Sequence, residues 1–136
     1  MLELNRISAG YGKQTVLDGI SVDFEKGKLT SIIGVNGCGK STLLKAILGI
    51  LSLSNGEIFI DGENLLTISR NEIAKKIAYL SQGKNIPDMT VEQMVLHGRF
   101  PYLSYPRRYS SHDREVAIKA MEIVGVAEFA HKPLYS

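Results

Sequence analysis

Gly34, Gly37 and Gly39 run straight into Lys40, Ser41 and Thr42 in the stretch IIGVNGCGKSTLLKAILGI, residues 32–50. Glycines crowded this closely bend at little steric cost but lose much entropy when ordered. A loop made of them needs something other than packing to hold one shape. GVNGCGKS fits the spacing G-x-x-x-x-G-K-S/T, in which successive backbone N–H groups wrap a chain of phosphates. In that pattern Lys40 carries a point charge to the terminal phosphates and the Ser41 hydroxyl ligates Mg²⁺. A plain glycine-rich turn with a surface lysine accounts for neither residue in register.

Such a loop must be delivered by a strand and continued by a helix, and the flanking residues supply both. LTSIIG, residues 29–34, is a short apolar run of the kind covered on both faces of a sheet. The residues from Ser41 to about Leu51 put Leu44, Ile47, Leu48 and Leu51 on one helical stripe, so that helix is expected to be well buried. Its N-terminal amides and dipole then favour the anion that the loop wraps.

Around this centre, Leu2, Leu4 and Ile7, then Ile20, Val22 and Phe24, alternate as half-buried strands. EKGK at 25–28 is a turn, and EIFIDGENL gives a strand followed by a DG turn. Ser69 with Glu72, and Thr90 with Gln93, spell capping boxes at two helix starts. IAYL, 77–80, is a short strand between them. A loop rich in proline, aromatics and arginine, RFPYLSYPRRYSS, precedes a helix from about His112 to Val124 on which Val116, Ala120, Ile123 and Val124 share a face. Strands alternating with helices after residue 29, behind a strand-rich start, predict an α/β fold with an attached antiparallel piece.

The similarity widens beyond one motif. GYGKQTVLDGISVDFEKGKLTSIIGVNGCGKSTLLKAILGILSLSNGEIFIDG, residues 10–62, resembles the opening of the ATP-binding subunits of ABC transporters. The resemblance implies a P-loop NTPase (RecA-like) core with an N-terminal antiparallel β subdomain over about 1–30. The core then runs over 29–82, and the start of a helical subdomain over 83–136. It implies that Tyr11 stacks on adenine and Val16 packs beside base and ribose. Asn36, Gly37, Cys38, Gly39, Lys40, Ser41 and Thr42 would hold the phosphates of ATP. AYLSQ looks like the family's next station, in which Gln82 reaches Mg²⁺ and the attacking water. VEQMVLHGRFPY and SSHDREVAIKAMEIVGVAEFAHKPL resemble the subfamily serving importers of iron chelates, haem and cobalamin. The partners implied are transmembrane permease subunits and a second nucleotide-binding subunit as a homodimer, at the cytoplasmic face of the cell membrane. Leu53 and Ser81 depart from the family's usual prolines, at positions that touch no chemistry.

Composition sets the outer bounds. The 136 residues are 44% hydrophobic and 22% charged, with a net charge of +2, an ordinary globular balance that calls for no nucleic acid. The single cysteine, Cys38, cannot close an internal disulfide, and the first ten residues lack a secretory leader's apolar core. LLKAILGIL is interrupted by Lys45 and falls far short of the ~20 residues a spanning helix needs. His97, His112 and His131 have no metal-ligand spacing. The aromatics and arginines of 99–109 could stack on RNA, but they suit a protein interface at least as well. A GTPase would need an NKxD-type segment. A small-molecule kinase would lack Tyr11 and Gln82 in these positions. The alternative kept is a nucleotide-binding module of a non-transport ABC protein. The family's LSGGQ-like signature, the strand ending in Asp-Glu and the switch histidine are expected beyond Gln82 and do not occur before Ser136. The chain therefore reads as the amino-terminal part of a longer protein.

Overall fold

Leu2 and Leu4 stand on even positions, whereas Ile7 and Ala9 stand on odd ones, so no regular strand could bury all four on one face. The computed structural model, which describes residues 1–83 and 87–135, answers this with a bulge. Strand β1, Leu2–Tyr11, pairs antiparallel with β2, Gln14–Phe24; between Leu4↔Val22 and Ile7↔Ile20, three residues of β1 advance against two of β2. Arg6 takes φ 47° there, which resets the alternation. Leu4, Ile7 and Ala9 all end fully buried.

On the other side of β1 lies β3, Asn55–Ile60, and a tight Asp61-Gly62 turn leads into β4, Glu63–Asn64. The sheet order is β2-β1-β3-β4, antiparallel throughout. The antiparallel piece expected over about 1–30 thus gains two strands from beyond the glycine loop. Gly56 underlies the bulge, since a Cβ on it would stand 2.4 Å from the Arg6 carbonyl oxygen.

Helices α1, Lys40–Ile47, and α2, Arg70–Lys76, complete this unit, which spans Met1–Ala78. Its core joins Leu4, Ile7, Leu17 and Ile58 of the sheet to Leu43, Ala46, Ile47 and Ile73 of the helices. Truncating Ile58 to alanine would cost about 2–5 kcal/mol. The stripe expected on α1 is corrected: Thr42, Leu43, Ala46 and Ile47 are buried, and Leu44 is exposed. The helix ends at Ile47 and Gly49 turns the chain at φ 66°, so Leu48 and Leu51 lie past the helical period. At α2, Ser69 caps the Glu72 amide at 3.2 Å, while the Glu72 carboxylate pairs with Lys75, leaving half of the expected capping box.

Two expected strands are absent from the ladders. Residues 29–34 run irregularly, with Leu29 98% and Ile33 93% exposed, and 77–80 is likewise irregular. A parallel strand of this kind holds its shape through hydrogen-bonded neighbours and covered faces. Neither run pairs with a strand among the described residues.

A second unit begins at Tyr79. Thr90 and Gln93 close the expected capping box on α3, Val91–His97, and Ser110 and Asp113 close another on α4, Ser111–Ile123. A 3-10 turn, Phe100–Tyr102, lies between them. The chain after α4 returns across the entry to α3, where the Leu134 N–H bonds the Met89 carbonyl and the Val91 N–H bonds that of Lys132. The face expected on α4 is also corrected. Ile123 and Val124 are exposed, and the buried stripe is Asp113, Ala117 and Met121. A carboxylate heads that stripe, so an apolar pattern passes over it.

Candidate functional site

Of the four α-helices among the described residues, three begin on a hydroxyl that caps an amide, whereas α1 begins on Gly39 with no side-chain cap and no acidic residue in its first turn. The first-turn amides of α1 and the helix dipole therefore face a loop with no built-in anion of its own. Gly39 holds φ 96° and Gly37 φ 83°, backbone that an L side chain would strain. At Gly34 a Cβ would lie 2.6 Å from the Cys38 sulfur, so a side chain there would push the exposed thiol aside.

Lys40 folds over this loop. Its ammonium donates to the Gly34 carbonyl at 2.7 Å and to the Val35 carbonyl at 2.8 Å, and lies 3.7 Å from the Cys38 Sγ. The cation is thus fixed at the mouth of the loop by backbone oxygens. Asn36, Gly37, Cys38 and Ser41 are exposed around it. An anion entering here meets an ammonium and helix amides, the chemistry of a phosphate site.

The hairpin of β1 and β2 brings the next two residues to the same place. Val16 is the extra residue of a second bulge, between Ala9↔Leu17 and Gly10↔Thr15. The bulge lets Val16 and Leu17, neighbours in sequence, both turn toward Gly39: a Cβ there would stand 3.2 Å from Val16 Cγ1 and 3.1 Å from Leu17 Cδ2. Tyr11, at the end of β1, is 48% exposed. Its phenol oxygen accepts from Lys45 of α1 at 3.3 Å, and the Lys45 ammonium lies over the ring, 5.5 Å from its centroid. A hydrogen bond with the Thr42 hydroxyl, then that with Lys45, holds the Tyr11 phenol below its ordinary pKa. Thr42 itself is buried.

Tyr11, Val16, Gly39, Lys40 and Thr42 are therefore gathered around the start of α1. Gln82 lies in the second unit, exposed, in irregular chain. Lys45 was not singled out from sequence as a site residue. Its signal is the three-residue spacing from Thr42, which places both on the helix face beside the hairpin.

The second unit has its own fixed point. Asp113 Oδ1 accepts from Arg99 Nε at 2.9 Å, and its Oδ2 accepts from the Ser110 N–H and hydroxyl at 2.9 and 2.7 Å. The Ser110 bonds first, then Arg99, hold this carboxyl down at about 2. Arg99 stacks on Tyr102 at 4.0 Å and Arg107 on Phe100 at 4.6 Å. Phe100 and Tyr102 are in this way pinned by arginines of the same loop, while Tyr105 is 97% exposed. Among the described residues no group of three or more His, Cys, Asp or Glu could hold a metal, and no helix is long and apolar enough to cross a membrane.

An uncapped helix behind a glycine loop, with a tyrosine hairpin laid against it, defines a nucleotide-binding fold of the P-loop class. The chain belongs to the ABC transporter family, whose family model matches residues 17–136. It is 35% identical over 136 residues to the petrobactin import ATP-binding protein FpuD of Bacillus anthracis, covering 99% of this chain and 50% of that one. It is 36% identical over 126 residues to the ferric enterobactin transport ATP-binding protein FepC of Escherichia coli K12, covering 92% and 46%. An ATP-binding cassette solved as a dimer in a post-hydrolysis state, bound to ADP and Pi, superposes with a TM-score of 0.75 at 21% identity, over 99% of this chain and 62% of that one. The chain spans about half the length of the curated relatives it matches.

Proposed function

We propose that this chain is the nucleotide-binding part of an ATPase subunit that energises an ABC importer of the iron-siderophore, haem or cobalamin class. The observation that carries the reading is the meeting of Tyr11 and Val16 with the Gly34–Thr42 loop at the uncapped start of α1. In this reading Tyr11 stacks on adenine, Val16 packs beside base and ribose, and Asn36–Thr42 hold the phosphates, with Lys40 on the terminal ones. Mg²⁺ suits oxygen donors and commonly arrives with a nucleotide's phosphates. The Ser41 hydroxyl and the Gln82 amide oxygen have the donor chemistry to complete its shell. Bound there, the ion would neutralise charge that develops on the phosphates during hydrolysis.

Petrobactin import and ferric enterobactin transport in the names of the two relatives support the importer class over a non-transport ABC protein. The partners would be transmembrane permease subunits and a second nucleotide-binding subunit, and the protein would then work at the inner face of the cell membrane. The test is uptake of radiolabelled ferric siderophore, haem and cobalamin in cells whose only copy of the gene carries Lys40→Ala. Loss of uptake of one substrate with the others retained supports the reading and names the substrate. Retention of all three overturns the importer class.

A further inference from the structure

Tyr11 sits between Gly10 and Gly12 at the tip of a hairpin, and Gly12 has φ 58°. Gly10 has no room for a side chain, since a Cβ there would fall 1.9 Å from the Gln14 carbonyl oxygen. Flanking glycines offer the ring no side-chain support on the hairpin itself. The ring's hold comes instead from α1, through Lys45 and Thr42. Lys45 lies five residues, about 1.4 turns, beyond Lys40 on the same short helix. Its side chain reaches back to the hairpin while Lys40 reaches forward to the loop carbonyls.

We infer that Lys45 is a positioning residue for nucleotide binding: by its hydrogen bond to the Tyr11 phenol oxygen and its place over the ring, it fixes the base platform to the helix that carries the phosphate loop. The inference rests on the reading of Tyr11 as the adenine platform. Two chemically different subsites, an aromatic face for the base and amides for the phosphates, must be held at one separation for a single nucleotide to span both. An ammonium is well suited to this anchoring, because it can donate to the phenol oxygen and lie against the electron-rich ring together. Arginine keeps both abilities, and methionine keeps only the length of the side chain.

The consequence is selective. Removing the anchor weakens ligands that use the base and spares ligands that are only phosphate. On the purified protein, Lys45→Met should weaken ATP binding about three- to tenfold, the size of one hydrogen bond and an exposed cation–π contact. Tripolyphosphate affinity should change less than about twofold, which also reports that the fold is intact. Lys45→Arg should restore ATP affinity. Tyr11→Phe, which keeps the ring and loses the hydroxyl, should show part of the same loss, and its combination with Lys45→Met should add less than the two losses together. A readout without nucleotide is the phenolate absorbance assigned to Tyr11 by difference against Tyr11→Phe, whose titration should move to higher pH in Lys45→Met and return in Lys45→Arg. If Tyr11→Ala binds ATP as the parent does, the platform reading falls and the inference with it. If Tyr11→Ala loses ATP while Lys45→Met keeps it, or if the Lys45 and Tyr11→Phe losses simply add, the platform stands and the anchoring role of Lys45 is overturned.

Discussion

The Lys40 ammonium and the Gly34 carbonyl oxygen are 2.7 Å apart, so the cation at the mouth of the glycine loop is seated on the loop's own backbone. That seat is at the surface and Lys40 supports no buried core, which separates its binding role from any role in stability. Lys40→Ala should weaken ATP binding about 10- to 100-fold, the value of charged hydrogen bonds to phosphate. The thermal midpoint should move by no more than about 2 °C. Equilibrium titration and a thermal melt on the same sample measure both, and unchanged affinity would remove Lys40 from the phosphates.

Asp113 yields a pH prediction whose sign follows from its partners. Its carboxyl is held at about 2, below its ordinary 3.8, by Ser110 and then Arg99. A depressed carboxyl contributes stability that is fully present above the unfolded pKa and is lost as pH falls through the folded one. Stability of the protein should therefore drop between about pH 4 and pH 2, and Asp113→Asn should flatten that limb while lowering the plateau at neutral pH. Urea midpoints at pH 7, 4 and 2.5 compare the two proteins, and parallel acid limbs would show that Asp113 does not contribute.

Gln82, exposed in the second unit, is proposed to reach Mg²⁺ and the attacking water, a role that bears on turnover more than on affinity. In an intact transporter Gln82→Ala should lower transport-linked hydrolysis by about tenfold or more while ATP affinity changes less than about twofold, a loss seen in turnover. Equal losses in both would make it an ordinary ligand residue.

Cys38 is exposed and lies 3.7 Å from the Lys40 ammonium. Maleimide should label it readily, and Mg·ATP should slow the labelling by about tenfold or more by covering the loop. Mass spectrometry of the labelled peptide with and without nucleotide decides this, and equal rates would take Cys38 away from the phosphates.

How much of this was legible in the residues depended on what each signal encodes. The glycine turn into α1 was readable because the G-x-x-x-x-G-K-S/T spacing puts a helix start directly behind its last glycine, and α1 begins at Lys40 with Gly39 as its N-cap. The seating of Val16 beside Gly39 was not legible in the residues; the family resemblance implied only that Val16 packs beside base and ribose. The seating depends on a bulge, and alternation alone would send Val16 and Leu17 to opposite faces. The run 29–34 was read as a covered strand because apolarity records what a segment can bury. Whether neighbours are present to cover it is a separate fact, and Leu29 and Ile33 remain exposed. The buried face of α4 was missed because Asp113, satisfied by three hydrogen bonds, occupies a position that a hydrophobic pattern assigns to solvent.

Strand β1 is paired on one side with β2, which precedes the phosphate loop, and on the other with β3, which follows it. The loop and α1 are therefore an excursion whose two ends are already joined through a third strand. Peptide continuity across the exposed stretch between Phe24 and Gly34 is redundant with that hydrogen-bonded closure. A protease cut near Leu29 should leave a nicked complex that migrates as one species, and two separately made segments meeting there should complement each other, β1 acting as the splint.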